Sequence, residues 1–168
     1  LKVKGQRLAF LAYEDVLQPL DLDTVLKEVK QARSLADILI VSLHWGNEYQ
    51  AGPDRWQKEQ AQRLADAGVD VIWGHHPHVL QPMQWMKSSD STHETLVIYS
   101  LGNLYSDQFM LEDARRTALV KMEVRHGKIA AVEVYPLVLG IDTDRLVNAD
   151  AAESEFIFDR LNWLPSEY

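Results

Sequence analysis

The sequence predicts an α/β (α+β) protein in which alternating strands and helices are followed by mostly antiparallel strands. Two observations predict this class. Before residue 80, short apolar runs that are typical of buried strands alternate with amphipathic segments of helical period. After residue 80, four strand-like runs follow one another without a helix between them. The first pattern implies parallel strands that are joined by right-handed crossovers.

Regular spacing assigns the elements of the first half of the chain. Three strands are predicted, at residues 7–13, 37–43 and 69–73. The run at 37–43 is short and continuously apolar, which is typical of a strand covered on both faces. Two helices are predicted, at residues 21–35 and 53–67. The first has Leu22, Val25 and Val29 at helical spacing. The second has Pro53 near its start and Gly68 just past its end.

The second half of the chain is assigned in the same way. Four strands are predicted, at residues 82–86, 95–100, 118–125 and 128–137. His126 and Gly127 separate the last two strands and predict a tight hairpin. A closing helix is predicted at residues 150–164. No linker-like segment divides the chain, so we expect a single domain over residues 1–168.

Composition and charge exclude several classes of protein. The chain has 168 residues, of which 46% are hydrophobic and 25% are charged, and this balance excludes a disordered or fibrous protein. The net charge of −8 makes a nucleic-acid partner unexpected. The chain contains no cysteine, which excludes disulfides and thiolate metal sites. No apolar run approaches the roughly 18 residues of a membrane span.

Histidines follow two of the predicted strands. His44 comes directly after the strand at 37–43, and Gly74, His75, His76 and His78 come after the strand at 69–73. Functional sites of open α/β sheets lie outside the carboxyl ends of the strands. If the two strands are neighbours, four of the six histidines share one edge of the sheet. The strand at 95–100 is expected to bring Asn103 to the same edge.

The spacing of these histidines predicts a metal site. Neutral imidazole binds Zn, Mn or Fe ions. His76 and His78 are two residues apart, so on an extended segment their side chains point the same way. His44 would complete a set of three ligands, whereas His75 should point to the opposite side. Gly74 would allow a close approach of the backbone to the bound ion or substrate.

Each of the remaining candidates has a structural alternative. Glu48 could orient a ligating histidine or could be a solvent-exposed loop carboxylate. Asp107 could line the same site or could cap a short helix together with Gln108. His44 taken alone could be a hydrogen-bonded surface residue rather than a ligand.

Three motifs resemble those of a known family. They are VSLHWGNEY at residues 41–49, GVDVIWGHHPHVLQ at 68–81 and VIYSLGNLYSDQF at 97–109. All three resemble motifs of the capsule-biosynthesis protein CapA family, which is associated with poly-γ-glutamate capsules. The motifs stand in the same order as in that family, and the resemblance covers most of the chain.

The resemblance implies a fold and a metal centre. The CapA family belongs to the calcineurin-like metallophosphoesterase superfamily, whose fold is a two-sheet β-sandwich flanked by helices. The superfamily binds two divalent metal ions (Mn, Fe or Zn). By motif, His44 corresponds to an isolated histidine ligand, and His76 and His78 correspond to a ligating His-x-His pair. Glu48 and Asn103 match motif positions to which the resemblance assigns no firm role.

The resemblance leaves two functions open for the complete protein. The first is metal-dependent hydrolysis of a phosphoester. The second is non-catalytic handling of a polyanionic polymer such as poly-γ-glutamate. The resemblance also implies a location at the cell surface. A third possibility is that the histidines only stabilise a strand edge.

One departure from the superfamily pattern is important. The early motifs that supply a bridging Asp and an Asn-His pair have no equivalent in this sequence. We therefore expect the chain to be the C-terminal part of a larger domain and to be inactive alone. We also expect its exposed strand edges to be covered by the missing N-terminal segment or by a second copy.

Overall fold

The computed structural model describes residues 1–108, 111–140 and 145–163, and it confirms the mixed α/β class. The strands in this part of the chain are β1 (Lys2–Val3), β2 (Gln6–Glu14), β3 (Ile38–His44), β4 (Val71–His75), β5 (Leu80–Lys87), β6 (Glu94–Leu101), β7 (Arg116–Arg125), β8 (Lys128–Leu139) and β9 (Leu146–Asn148). The helices are α1 (Leu22–Leu35), α2 (Arg55–Asp66) and α3 (Ala151–Leu161), with a short 3₁₀ helix at Glu112–Arg115.

The strands form two sheets. The larger has six strands in the order β1-β2-β3-β4-β6-β5, and the smaller has three in the order β7-β8-β9. Strands β2, β3, β4 and β6 are parallel to one another, while β1 and β5 run antiparallel to their neighbours. The smaller sheet is antiparallel throughout. The predicted change of pattern after residue 80 is therefore confirmed, except that β6 joins the parallel part of the larger sheet.

Strand β3 lies between two hydrophobic cores. Leu39 and Val41 pack on one face of the larger sheet with the apolar sides of α1 and α2. Ile38 and Ile40 face the other way and pack with β7, β8 and α3, including the fully buried Ile157. Side chains alternate between the faces of a sheet, so a strand with a core on each side is apolar at successive positions, as β3 is from Ile38 to Val41. This confirms the prediction that β3 is covered on both faces.

Aspartates determine where the helices begin. Asp21 caps α1, and its side chain accepts from the backbone N–H of Thr24. Asp54 and Gln57 form a reciprocal capping box at the start of α2, so this helix begins two residues after Pro53. Asp150 caps α3, which ends at Leu161. Residue 164, the predicted end of α3, lies outside the described residues.

The predicted hairpin is present between β7 and β8. His126 and Gly127 both have a positive φ, 51° and 69°, and they connect the paired residues Arg125 and Lys128. Positive φ at both central residues is typical of the tight turns that match the twist of a hairpin. The short strands β1 and β9 were not predicted, because two or three residues show no hydrophobic period. Within the described residues, no helix is long and apolar enough to cross a membrane.

Candidate metal centre

The ends of two neighbouring strands bring the histidines together. Strands β3 and β4 are parallel neighbours, and their register places His44 beside His75. The ring centroid of His76 lies 4.8 Å from that of His44 and 5.8 Å from that of His78. Four of the six histidines of the chain therefore meet at one edge of the larger sheet.

The two predicted ligands of the His-x-His pair lie on a turn, and the expectation of an extended segment is wrong. His76 and His78 have φ values of 95° and 61°, in the left-handed region. Such conformations cost on the order of 1–3 kcal/mol each in residues other than glycine, and they persist only where the surroundings enforce them. The carbonyl of Pro77, between the two histidines, accepts from the N–H of Tyr49 at 2.8 Å. The turn is therefore held against the loop that contains Glu48.

Glu48 belongs directly to the histidine cluster. One ligand atom each from Glu48, His76 and His78 lies within 4.8 Å of the other two. The carboxylate Oε1 of Glu48 is 4.0 Å from Nε2 of His78. Ligand atoms of one tetrahedral zinc ion lie about 3.4 Å apart, because each is about 2.0–2.2 Å from the metal. The three donors must therefore move closer by roughly 1 Å to bind one ion, which the exposed side chain of Glu48 permits. Two imidazoles and a carboxylate form a suitable donor set for Zn, Mn or Fe.

His44 lies at the side of this cluster rather than in its centre. Its ring contacts that of His76, but the group of three mutually close ligand atoms among the described residues does not include it. The side chain of His44 is exposed. In this arrangement, it can join the cluster only if its ring turns or an ion binds between His44 and His76.

A second carboxylate, that of Glu14, stands beside the cluster and was not predicted. Glu14 is the register partner of His44 at the end of β2. The backbone N–H groups of Leu17 and Val16 donate to its carboxylate and lower its pKa, and the charges of His44 and His76 lower the pKa slightly further. The rule that sites form at the carboxyl ends of parallel strands could have identified Glu14, since it directly follows the predicted strand at 7–13.

Asn103 determines the tautomer of the neutral His78 ring. Its Nδ2 donates to the backbone carbonyl of Ala114 at 3.2 Å and to Oε1 of Gln108 at 3.0 Å. A carbonyl only accepts hydrogen bonds, so Nδ2 must face Ala114 and Oδ1 must face His78. Nδ1 of His78 lies 2.8 Å from that oxygen and therefore carries the proton in the neutral ring. The lone pair of Nε2 is then free, on the side of Glu48.

Burial lowers the pKa of two of the histidines. Loss of hydration lowers the pKa of His76, and the neighbouring His44 lowers it further, while Glu48 opposes the shift. Neutral imidazole is the form that binds metal ions. Burial also lowers the pKa of His75, again with a contribution from His44.

His75 faces away from the cluster. Its ring centroid lies 5.1 Å from that of Trp73, and both side chains line an apolar cavity of about 450 Å³ between the two sheets. This placement agrees with the expectation that His75 points opposite to its neighbours. It separates His75 from the group formed by His76, His78 and Glu48.

Gly74 is required for packing between strands. A Cβ at this position would lie 2.0 Å from the carbonyl oxygen of Tyr99 and 2.3 Å from the indole nitrogen of Trp45. That nitrogen donates to the same carbonyl at 3.0 Å. The close approach predicted at Gly74 is therefore between the backbone of Gly74 and other parts of the protein, namely the carbonyl of Tyr99 and the indole of Trp45.

Asp107 is exposed, and the contact with Asn103 comes from its neighbour Gln108. The alternative that this pair caps a helix is wrong, because the following 3₁₀ helix begins after Leu111 and has no side-chain cap.

Comparison with known proteins adds a family and several relatives. The family model described as "Bacterial capsule synthesis protein PGA_cap" matches residues 1–108, which include every residue of the cluster. The PGA biosynthesis protein CapA of Bacillus subtilis is 32% identical over 173 residues, covering 95% of this chain and 44% of the relative. The capsule biosynthesis protein CapA of Bacillus anthracis is 36% identical over 152 residues, covering 80% of this chain and 35% of the relative.

A more distant relative is a probable polyglutamine synthesis accessory protein of Mycobacterium tuberculosis. It is 24% identical over 142 residues, covering 80% of this chain and 35% of the relative. The chain thus spans less than half the length of each of these relatives.

Proposed function

Since the chain belongs to the PGA_cap family of bacterial capsule synthesis proteins, we propose that it acts in poly-γ-glutamate capsule biosynthesis. The names of two relatives, a PGA biosynthesis protein and a capsule biosynthesis protein, support this role. The same relationship supports a location at the cell surface, where a capsule is assembled. Within that role, we propose that the chain contributes ligands to a divalent metal centre of a metallophosphoesterase-like hydrolase.

One observation carries the proposal of a metal centre. In the neutral ring of His78, Nε2 carries a lone pair, and it lies 4.0 Å from the carboxylate Oε1 of Glu48. Two lone-pair donors that face each other are stabilised by a cation between them. The neutral ring of His76 adds a third donor to the same group.

Each side chain has a separate task in this proposal. His76, His78 and Glu48 bind the ion, and Asn103 keeps the ring of His78 in the tautomer that binds. Bound metal would polarise a phosphoryl oxygen and lower the pKa of water. His44 and Glu14 stand beside the group, where they can complete a second set of ligands together with residues of the longer protein. We therefore expect turnover from the longer protein and little from this segment.

Metal content tests this proposal. The wild-type chain is equilibrated with Mn, Zn or Fe(II), desalted and measured by elemental mass spectrometry. The test variant is His76→Ala with His78→Ala, and the matched control is His126→Asn in the exposed hairpin, where asparagine tolerates the positive φ.

We expect bound metal in the wild type and the control and none in the double variant. Equal metal content in all three would overturn the proposed ligands. Metal binding without phosphoester hydrolysis by the longer protein would favour the alternative, a non-catalytic protein that binds a polyanion through the ion.

We also propose that a further segment of the longer protein covers the open side of the smaller sheet. Strand β7 is one of the two outer strands of that sheet in the described part of the chain. Beside it, Phe10, Trp73 and Leu119 are 57%, 42% and 49% exposed and line the apolar cavity between the sheets. An unpaired edge next to exposed apolar side chains favours pairing with another strand. The relatives are more than twice as long as the part they share with this chain, so they contain further segments of suitable length.

Light scattering during gel filtration tests this second proposal. The isolated chain should self-associate through β7, and Leu119→Lys should reduce the association because a charge then lies at the edge. The longer protein should be monomeric. A monodisperse monomer of the isolated chain would count against the proposal, and a dimer that persists in the longer protein would show that a second copy covers the edge.

A further inference from the structure

Two buried glutamines connect strand β5 to the loop that contains Glu48. Gln81 is fully buried near the start of β5, and Gln57 is 1% exposed on α2. Nε2 of Gln81 donates to the carbonyl oxygens of Gln50 at 2.8 Å and Gly52 at 3.2 Å. Its Oε1 accepts from Nε2 of Gln57 at 3.1 Å. Both donors and the acceptor of the Gln81 amide are therefore used.

The hydrogen bonds continue through the first turn of α2 to the other side of the loop. Oε1 of Gln57 accepts from the N–H of Asp54 at 3.0 Å. Oδ2 of Asp54 in turn accepts from Nδ2 of Asn47 at 3.0 Å. Asn47 directly precedes Glu48, and Gln50 follows two residues later. The loop is thus held on both sides of Glu48.

The packing at Gly46 shows that the loop lies directly on this amide network. Gly46 has a φ of 78°, and a Cβ there would lie 2.6 Å from Cδ of Gln57. The backbone of the loop therefore touches the side-chain amide of Gln57, and a different loop path would leave that buried amide without its packing partner.

We propose that Gln81 is a positioning residue that holds the loop at residues 46–52 so that the carboxylate of Glu48 faces Nε2 of His78. This inference rests on the proposed metal centre. Glu48 is exposed and has a long side chain, so its own packing does not determine where its carboxylate lies. The carbonyls that Gln81 binds hold the backbone after Glu48. The bond from Asn47 to Asp54, whose N–H donates to Gln57, holds the backbone before it.

An apolar residue would fill the site of Gln81 without the cost of burying an amide. It would, however, remove the hydrogen bonds that Gln81 makes to the carbonyls of Gln50 and Gly52 and to Nε2 of Gln57. The burial of Gln81 is thus explained by what its amide does for the loop. Groups that orient metal ligands in this way typically change metal affinity by about 10–100-fold when they are removed.

The test variant is Gln81→Met, which keeps the shape of the side chain and removes its three hydrogen bonds. The matched control is Gln84→Met, on the same strand, where the side chain is exposed and bonds only the hydroxyl of Tyr99 in the described contacts. Zn and Mn affinities are measured by calorimetry, and amide hydrogen exchange is followed by mass spectrometry.

We expect metal affinity to fall about 10–100-fold in Gln81→Met and to stay within about twofold of wild type in the control. Hydrogen exchange at residues 46–52 should rise in Gln81→Met only, while exchange in α1 and β6 stays unchanged. A double-mutant cycle with Glu48→Gln separates positioning from general destabilisation. If Gln81 acts through Glu48, its substitution should have little further effect on affinity once Glu48 has been replaced.

Several results would overturn the inference. One is a metal affinity and a hydrogen exchange at residues 46–52 that do not change in Gln81→Met. Another is a double variant in which the effects of Gln81→Met and Glu48→Gln on metal affinity simply add. If the wild type binds no metal, the proposed metal centre fails, and the exchange at 46–52 still decides whether Gln81 holds the loop. If Gln81→Met does not fold, Gln81→Asn serves instead, because its shorter amide cannot reach all three partners and should produce the same changes to a smaller degree.

Discussion

Oδ1 of Asn103 lies 2.8 Å from Nδ1 of His78, and this contact determines which ring nitrogen faces Glu48. The amide of Asn103 cannot flip without losing its bond to the carbonyl of Ala114. The proton of the neutral His78 ring is therefore held on Nδ1. Asn103, which is more than twenty positions away in the sequence, thus leaves Nε2 of His78 available to bind a metal ion.

Substitution of Asn103 should weaken metal binding without unfolding the protein. Asn103→Leu has nearly the same size but removes the acceptor for Nδ1 of His78, so the ring can take either tautomer. We expect the affinity for Zn or Mn to fall about 10–100-fold, measured by calorimetry. Asn148→Leu, at an exposed position of β9, is the matched control and should keep the wild-type affinity. Equal affinities of the two variants would show that Asn103 does not orient the ligand.

Substitution of Gly74 should strongly destabilise the fold. In Gly74→Ala, the new Cβ would lie 2.0 Å from the backbone oxygen of Tyr99, and neither strand can move without breaking the pairing of β4 with β6. We expect a loss of about 3 kcal/mol or more in the free energy of unfolding, measured by urea denaturation. Gly52→Ala is the control, because nothing lies within 4 Å of a Cβ there, and its free energy of unfolding should change by less than about 0.5 kcal/mol. Similar values for both variants would contradict the packing described here.

The ion pair between Arg7 and Asp37 should make the free energy of unfolding depend on pH in the acid range. Hydrogen bonds from the side chain and backbone N–H of Arg7 lower the pKa of Asp37 to about 2. Because the folded-state pKa lies below the unfolded value, this contribution is complete above about pH 4 and is lost as the pH falls from about 4 to about 2.

Asp37→Asn should therefore be less stable than wild type at neutral pH and should lose less stability over that acid range. Urea midpoints measured between pH 2 and pH 7 (roughly the range in which carboxylates titrate) test this expectation. Arg7→Met should show part of the same change, since the backbone N–H of Arg7 still donates to Asp37. If the urea midpoints of Asp37→Asn and wild type change in the same way with pH, Asp37 does not contribute the expected pH dependence of stability.

Local pattern was sufficient to predict the regular elements of the described residues except the short strands β1 and β9 and the 3₁₀ helix. The apolar run of β3 needs a core on each face, and the structure supplies one on each side through Leu39 and Ile40. Helical spacing located α1 within one residue of its observed start at Leu22. The hairpin at His126 and Gly127 followed from the two residues alone, because the turn needs residues that accept positive φ. Each of these signals comes from residues that are close together in the sequence.

The topology of the sheet was sufficient to predict where the histidines meet. His44 and His75 end neighbouring parallel strands, so the rule for carboxyl ends placed both at one edge. The same rule applied to β2 would have included Glu14. It could not assign Glu48 to the cluster, because the position of that carboxylate depends on the loop path and therefore on Gln81 and Gln57.

The sequence by itself determined the class of fold, the elements and the edge at which the histidines meet, because these follow from short-range periodicity and from the alternation of side chains along strands. Only the tertiary structure decided which atoms face one another. The turn at His76 and His78 takes positive φ values that no local pattern predicts, and it is held by a hydrogen bond from Tyr49. The tautomer of His78 and the place of Glu48 likewise depend on partners distant in sequence, since hydrogen bonds between loops form only after the strands have brought those loops together.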